Sequence, residues 1–362
     1  MNRLRRYLFP SLGVDRVSSR RYRGSFESFS NSNLCCCFIN RSSTEKPDAV
    51  GSKQRFRRQQ GVALITAVLV VALASIAAAA VLSSANIAMH RAANLRDAET
   101  EWWYADGVES WVKSILLRDL QDNKTDSLKD AWAKPVDYLP VDYGSIRGAV
   151  IDEQGLFNLN NFGVKDPQLY QKYLDQFERL LQNIKDADVS LARPLAAALR
   201  DWMDADDQPT GMDGGEDTEY LTRSPPYRSA NRYLESVSEA LAVKGMTRTL
   251  YQQILPYVTV LPQLGTEINI NTAPEPVLRS LVKQPNAELE KFLRERKENP
   301  AEDKTKMQAA FDAGTPPIGV SSQYFMLHAE VFIGSGRLSL YSFYYRPPQG
   351  APVVLGRSTE SP

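Results

Sequence analysis

"RRQQGVALITAVLVVALASIAAAAVL", residues 57–82, sets two arginines, two glutamines and a glycine directly against an apolar run. Val62–Leu82 carries no charge, and the next ionisable side chains are His90 and Arg91. A run of about 20 apolar residues is long enough to cross a bilayer as a helix. A secretory signal has a shorter apolar core and then a small-residue cleavage site, so the length favours an anchor, although "ASIAAAAVLSSA" (74–85) keeps a signal peptide open. Arg55, Arg57 and Arg58 precede the run and, by the positive-inside rule, send everything after Leu82 across the membrane.

Up to Gly61 the chain has 13 Lys or Arg against 4 Asp or Glu, a net of +9, and because the whole sums to zero the remainder carries −9. The basic segment is rich in Arg, Ser and Asn and has too little apolar periodicity to order itself. Cys35, Cys36 and Cys37 all lie in it. Nothing after Gly61 can therefore be closed by a disulfide, so stability there comes from packing or metal.

Beyond the apolar run, Leu95, Ala98, Trp102, Ala105, Val108, Val112 and Ile115 recur at steps of three and four, with Arg96, Asp97, Glu99, Glu101, Glu109 and Lys113 between them. That spacing predicts one continuous helix to about Leu120, its second half amphipathic. Trp102, Trp103 and Trp111 read as core, the commoner fate of aromatics at helical spacing.

A helix of this kind behind a basic leader ending in glycine resembles the start of type IV pilin-like proteins. The resemblance implies that prepilin peptidase cuts between Gly61 and Val62 and leaves the anchor in place. Most such proteins have Glu at the fifth mature position, where this chain has Thr66. That Glu is thought to neutralise a neighbour's amino terminus, since an unpaired charge in an apolar filament core is costly. Its absence fits a subunit with unusual neighbours. "GAVIDEQGLFNLNNF" (148–162), "RDWMDADDQPTGMDGGEDTEYLTRSPPYRSANRYLESVSEALAVKGM" (200–246), "EININTAPEPVL" (267–278) and "SSQYFMLHAEVFIGSGRLSLYSFYYR" (321–346) narrow the resemblance to the K-type minor pseudopilins of bacterial type II secretion.

The same stretches also read by pattern alone. Gly148 to Leu159 alternates around "DEQG" (152–155), the mark of a hairpin. From Pro167 the period becomes helical, with Leu169, Tyr173, Phe177, Leu180, Leu181 and Ile184 on one face. Helical segments broken by Pro and Gly continue to about Asp312. Alternation then returns, with Phe325, Leu327, Ala329, Val331 and Ile333 on one face of a strand and Leu338, Leu340 and Phe343 in the next. The expected fold is α+β, a pilin-like long N-terminal helix packed on a small antiparallel sheet, with a large all-α domain inserted between strands. Its expected parts are a leader (1–61), a transmembrane stretch (62–82), an amphipathic helix (83–120), a strand region (121–160), the inserted helical domain (161–319), closing strands (320–346) and a flexible tail (347–362).

Eight carboxylates fall within 201–219: Asp201, Asp204, Asp206, Asp207, Asp213, Glu216, Asp217 and Glu219. Crowded like charges raise one another's pKa, and a hard cation relieves them. Calcium takes 6–8 oxygens in irregular geometry, and Gly211, Gly214 and Gly215 let a loop wrap it. The EF-hand template fails, because counting from Asp204 puts Pro209 where Gly is required and Gly215 where Glu is required. By composition alone a solvated acidic loop is an equal reading. The family resemblance implies calcium, with Asp204, Asp206, Glu216 and Asp217 as ligands and Asp213 and Asn231 as weaker ones.

"EININ" with "TAPEPVL" places Thr272 to cap a helix starting at Ala273. The words also resemble helix-hairpin-helix DNA modules, but nucleic acid wants a basic surface and this region is acidic. His90 and His328 form no triad with a nucleophile, no thiol follows Gly61, and no phosphate-binding Gly-Lys loop occurs, so no enzyme is expected.

The resemblance thus implies a single-pass inner-membrane protein with a periplasmic head, extracted into the pseudopilus and placed at its tip. Its partners would be I- and J-type minor pseudopilins, the major pseudopilin, prepilin peptidase and the inner-membrane platform. Thr66 and the helix stripe through Leu95, Trp102, Val108 and Val112 would pack against them. A signal-anchored periplasmic calcium-binding enzyme or scaffold is the alternative. Translation from Val50 would give a short basic leader, making residues 1–49 dispensable.

Overall fold

A computed structural model describes residues 60–307, 309–311 and 316–359. The basic segment, its cysteines and the Val50 start lie outside the described residues. The chain divides into two compact units, Met1–Leu69 and Val70–Pro362.

In the first unit the described residues are the opening turns of α1 (Gln60–Asp122). There the Thr66 hydroxyl donates to the carbonyls of Val62 (3.1 Å) and Ala63 (3.0 Å), which satisfies it without a partner chain. Among the described residues α1 is the one helix long and apolar enough to cross a membrane.

In the second unit α1 continues and is followed by β1 (Val136–Val141), β2 (Gly144–Asp152), β3 (Phe157–Asn158), α2 (Pro167–Asn183), α3 (Ala192–Met203), α4 (Asp217–Tyr220) and α5 (Arg248–Ile254). Then come β4 (Val258–Thr259), β5 (Ile268–Asn269), α6 (Glu275–Ser280), α7 (Ala287–Glu295), β6 (Ile318–Gly319), β7 (Tyr324–Ile333), β8 (Gly336–Tyr345) and β9 (Val353–Ser358). The main sheet is antiparallel throughout, in the order β1-β2-β7-β8-β9. Strands β2 and β7 are neighbours, Asp152 facing Phe325, although the whole helical block separates them in sequence.

Two apolar cores result. Ala105, Val108, Val112 and Leu116 of α1 pack on the inward residues of the sheet, Ile146, Phe325, Leu327, Ala329, Val331, Ile333, Leu340 and Tyr344. Alternation puts these strand residues on one face, and the 3.6 period puts the helix residues on one stripe. A second core runs from Phe157 to Phe311, where Phe157, Phe162, Tyr173 and Phe177 meet ring to ring. Buried asparagines brace it. Asn160 donates to the carbonyls of Leu234 and Leu261, both at 3.0 Å, and accepts from the Leu234 N–H at 2.9 Å.

Several expectations are corrected. "DEQG" is not a hairpin turn: the Asp152 carboxylate caps a 3-10 turn by accepting the Gln154 N–H at 2.9 Å, and the chain leaves the sheet there. The hairpin lies earlier, between β1 and β2, with Tyr143 at φ +64°. Phe343 faces away from Leu340 and stacks on Tyr324, centroids 5.8 Å apart. Residues 347–362 are not simply a flexible tail, because Val353–Ser358 form β9, pinned by Arg357 of that strand to buried Glu109 of α1 (Nε to Oε1, 2.7 Å). The three tryptophans of α1 are not core: Trp102, Trp103 and Trp111 are 50%, 71% and 48% exposed.

A buried polar cluster joins the sheet to the start of the helical block. Arg346 donates to Asp119 (2.9 Å), to Asp126 (2.6 Å) and to the Ser322 carbonyl (2.7 Å). Asp152 accepts from Ser322 and Thr272 (both 2.6 Å) and from Asn269 (2.9 Å). Thr272 therefore does not cap α6, whose first turn begins after Pro274 without a side-chain cap.

Candidate metal centre

The acidic loop is built on the end of α3. Asp201, fully buried in its last turn, accepts the N–H groups of Thr210 (3.0 Å) and Gly215 (2.8 Å), which folds the loop back over the helix end. A side chain at Gly214 would run into the Asp201 carboxylate and the Thr210 nitrogen, so glycine is required there. Trp202, Tyr220 and Tyr227 clamp the returning chain, with Trp202 and Tyr220 centroids 5.1 Å apart. Lys244 donates to the Gly214 carbonyl at 2.9 Å and lies 3.6 Å from Glu219, so its charge is committed to the rim.

The fold-back brings Asp204, which closes α3, and Asp206 against Glu216, with one carboxylate oxygen of each within 4.8 Å of the others. Glu216 is only 4% exposed, and both of its carboxylate oxygens lack a hydrogen-bond partner, as does Asp204 Oδ1. Burial and the neighbouring Asp201, Asp204 and Asp206 push the Glu216 carboxyl up to about 7. Burial, then Asp206 and Asp201, push Asp204 up to about 6. A buried carboxylate with two orphaned oxygens is a costly arrangement unless a cation answers it. The three carboxylates form an oxygen-only donor set, the chemistry calcium prefers.

The other expected ligands sit differently. Asp217 accepts from Arg228 (2.8 Å) and from the Ser229 N–H (3.0 Å) and hydroxyl (2.9 Å). Burial pushes its carboxyl up, but these Ser229 and Arg228 bonds prevail and hold it below the usual range. Asp213 is exposed and outside the trio. Asn231 is also exposed, at φ +47°, with its N–H on the Trp202 carbonyl at 3.0 Å. Asp201, which shapes the loop, was missed as an organiser: its place on the buried face of α3, beside Trp202, is the signal that separates it from the other acids.

A second acidic group, Asp119, Asp126 and Asp130, is also close together. Arg346 already neutralises two of its members, so it reads as an ion-pair cluster.

On α1 the expected packing stripe splits. Val108 and Val112 are buried against the chain's own sheet and are not free for a partner, whereas Leu95 and Trp102 are exposed.

Comparison with known proteins places these features. Residues 155–263 match the family model described as type II secretion system (T2SS), protein K. The type II secretion system protein K of Pseudomonas aeruginosa is 33% identical over 313 residues, 83% of this chain and 93% of that one. That of Aeromonas hydrophila is 31% identical over 322 residues, 83% of this chain and 97% of that one. A chain in the crystal structure of the GspK-GspI-GspJ complex from the enterotoxigenic Escherichia coli type 2 secretion system superposes with a TM-score of 0.61 at 28% identity, covering 75% of this chain and 100% of that chain. With the long helix, the antiparallel sheet and the helical block between β2 and β7, these likenesses carry one conclusion: the chain belongs to the type II secretion system protein K family, the K-type minor pseudopilins.

Proposed function

We propose that this chain caps the tip of a type II secretion pseudopilus, in complex with I- and J-type minor pseudopilins, and so supports assembly of the fibre that exports folded proteins. The observation that carries the proposal is the likeness to a chain of the GspK-GspI-GspJ complex, a chain that this one covers over its whole length. The start of α1 stores the subunit in the bacterial inner membrane, with the remainder in the periplasm. Prepilin peptidase cuts between Gly61 and Val62, and the platform and major pseudopilin act on the cleaved form. Thr66 brings no charge to neutralise a neighbour's amino terminus, which suits a single terminal copy. The helical block between β2 and β7 enlarges the head beyond what a close-packed fibre repeats. The role is mechanical, with no catalytic step.

Calcium belongs to the acidic loop in this account. Asp204, Asp206 and Glu216 would hold it, and Asp201 would keep the loop in the shape that presents them. The ion supplies charge neutralisation and thereby stabilises the head. Co-expressing the chain with I- and J-type partners and measuring stoichiometry by sedimentation tests the function. One copy of each supports it; polymers of this chain alone overturn it.

A further inference from the structure

Where β2 runs out into the helical block, two carboxylates stand side by side in the chain and nearly buried, Asp152 at 5% and Glu153 at 9% exposed. Their surroundings differ. Asp152 accepts from the Gln154 N–H on one oxygen and from the Asn269 amide on the other, both at 2.9 Å, and the Ser322 and Thr272 hydroxyls add to the second at 2.6 Å. The Asn269 amide oxygen accepts the Asn271 N–H at 3.1 Å, which fixes its nitrogen toward Asp152. An N–H can only donate, so each oxygen of Asp152 is held as a charged acceptor. Glu153 opens the 3-10 turn Glu153–Gly155, and its side chain meets one partner among the described residues, the Thr259 hydroxyl on β4 at 2.5 Å. A hydroxyl accepts as well as it donates, so that bond survives when the carboxyl carries a proton.

Among the described residues no cation reaches Glu153. Arg346 spends its donors on Asp119, Asp126 and the Ser322 carbonyl, and Asp130 of the same cluster accepts the Ser127 N–H. The segment from β5 to α6 brings the neutral Asn269 and Thr272 to this joint, and β4 brings Thr259. Strand β7 also packs on the turn, but its carboxylate, Glu330, is paired with Arg147 and Arg337, and its His328 stacks on Tyr341. Tyr324, at the start of β7, is a phenol that burial pushes further up. The charge that bears on Glu153 is therefore that of Asp152, of like sign. Two adjacent carboxylates in a dry joint resist ionising together, and the negative charge settles where the donors are. Burial, opposed by the Thr259 bond and helped by Asp152, pushes the Glu153 carboxyl up to about 7.

We infer that Glu153 is a proton-held latch between the sheet and the helical block: as a neutral acid it bonds Thr259 and closes the joint, and its ionisation opens the joint locally. The Arg346 cluster is a second tie that stays made, so the block is loosened at the turn and not released. The segment that opens is the turn with β3 and β4, where Phe157 pairs with Val258 and Asn158 with Thr259. In the closed joint the carboxyl titrates at about 7, and once opened to water it returns to its ordinary 4.5. Linkage between those two values favours the closed joint in acid and raises the open population about tenfold between roughly pH 6 and roughly pH 8.5.

The test uses the full-length chain in detergent. Hydrogen exchange read by mass spectrometry, corrected for the intrinsic rate at each pH, should show about tenfold less protection at the higher pH in peptides covering 153–163 and 256–261, with α2 unchanged. Glu153→Gln keeps the neutral shape and cannot ionise, so it should abolish that pH dependence. Infrared difference spectra over the same range read the acid directly, and the parent should lose one carboxylic-acid C=O contribution more than the variant. Should glutamine disturb the packing, Glu153→Met serves the same comparison, since it too cannot ionise. Protection independent of pH in the parent, an equal fall in the variant, or the same infrared change in both overturns the inference and leaves the proposed function standing.

Discussion

Replacing Glu216 by glutamine should have opposite effects with and without calcium. Burial and the neighbouring carboxylates push the Glu216 carboxyl up to about 7 in the folded chain, from an ordinary value of 4.5. Around pH 8 that difference costs the folded, metal-free state about 3 kcal/mol. Burying an amide in its place costs roughly 1–2 kcal/mol, because its oxygen, like those of Glu216, meets no hydrogen-bond donor. Glu216→Gln should therefore stabilise the calcium-free protein by a net of roughly 1–2 kcal/mol, a rise of about 2–8 °C for a domain of this size. In calcium the order reverses. The parent gains about 2.7 kcal/mol at a hundredfold excess over its dissociation constant, and the variant loses most of that. The pH dependence follows in sign. A carboxyl raised in the folded state favours folding most below its unfolded pKa of 4.5 and loses that contribution as pH rises from there to about 7, so the metal-free parent should weaken across that window and level off above it. With calcium present, acid competes for the carboxylates and the trend inverts. Melting of the detergent-solubilised chain, followed by tryptophan fluorescence in chelator and in millimolar calcium, reads all four states. A variant that melts lower than the parent by the same amount in both buffers would refute the reasoning.

Gly61→Val should leave the precursor uncut in membranes, read by N-terminal sequencing; a mature chain still starting at Val62 would remove the assigned junction. Arg346→Met strands the buried carboxylates of Asp119 and Asp126 and should cost about 3–5 kcal/mol, with the loss shrinking at acid pH as Asp126, whose carboxyl burial pushes up, protonates; an unchanged denaturation midpoint would contradict this. Arg357→Ala should cost about 1–3 kcal/mol by leaving buried Glu109 without its cation, and the double variant with Glu109→Gln should recover part of it in the same denaturation assay.

How much was legible depended on how far apart in sequence the causes lie. The long helix is written in its own composition, and the inward row Phe325 to Ile333 in its own alternation, so both are read from single segments. The approach of Asp204, Asp206 and Glu216 follows from charge crowded into one loop. Asp217 stands in the same crowd, yet its bonds come from Arg228 and Ser229, eleven and twelve residues on, which local spacing does not reveal. The Arg346–Asp126 pair spans 220 residues and has no local signature at all. Strand β9 follows "PPQGAP", a stretch that reads as a linker, and its strand character comes from the free edge of β8. The tryptophans of α1 share the helical period of core residues, and only the position of the sheet shows that they face outward.

The central claim, one copy at the end of the fibre, is tested most directly by locating the chain on assembled pseudopili. Gold label directed at a tag after Pro362 should appear at a single end of each fibre when sheared filaments are imaged by electron microscopy. Label repeated along the fibre at the spacing of the major subunit would contradict the account.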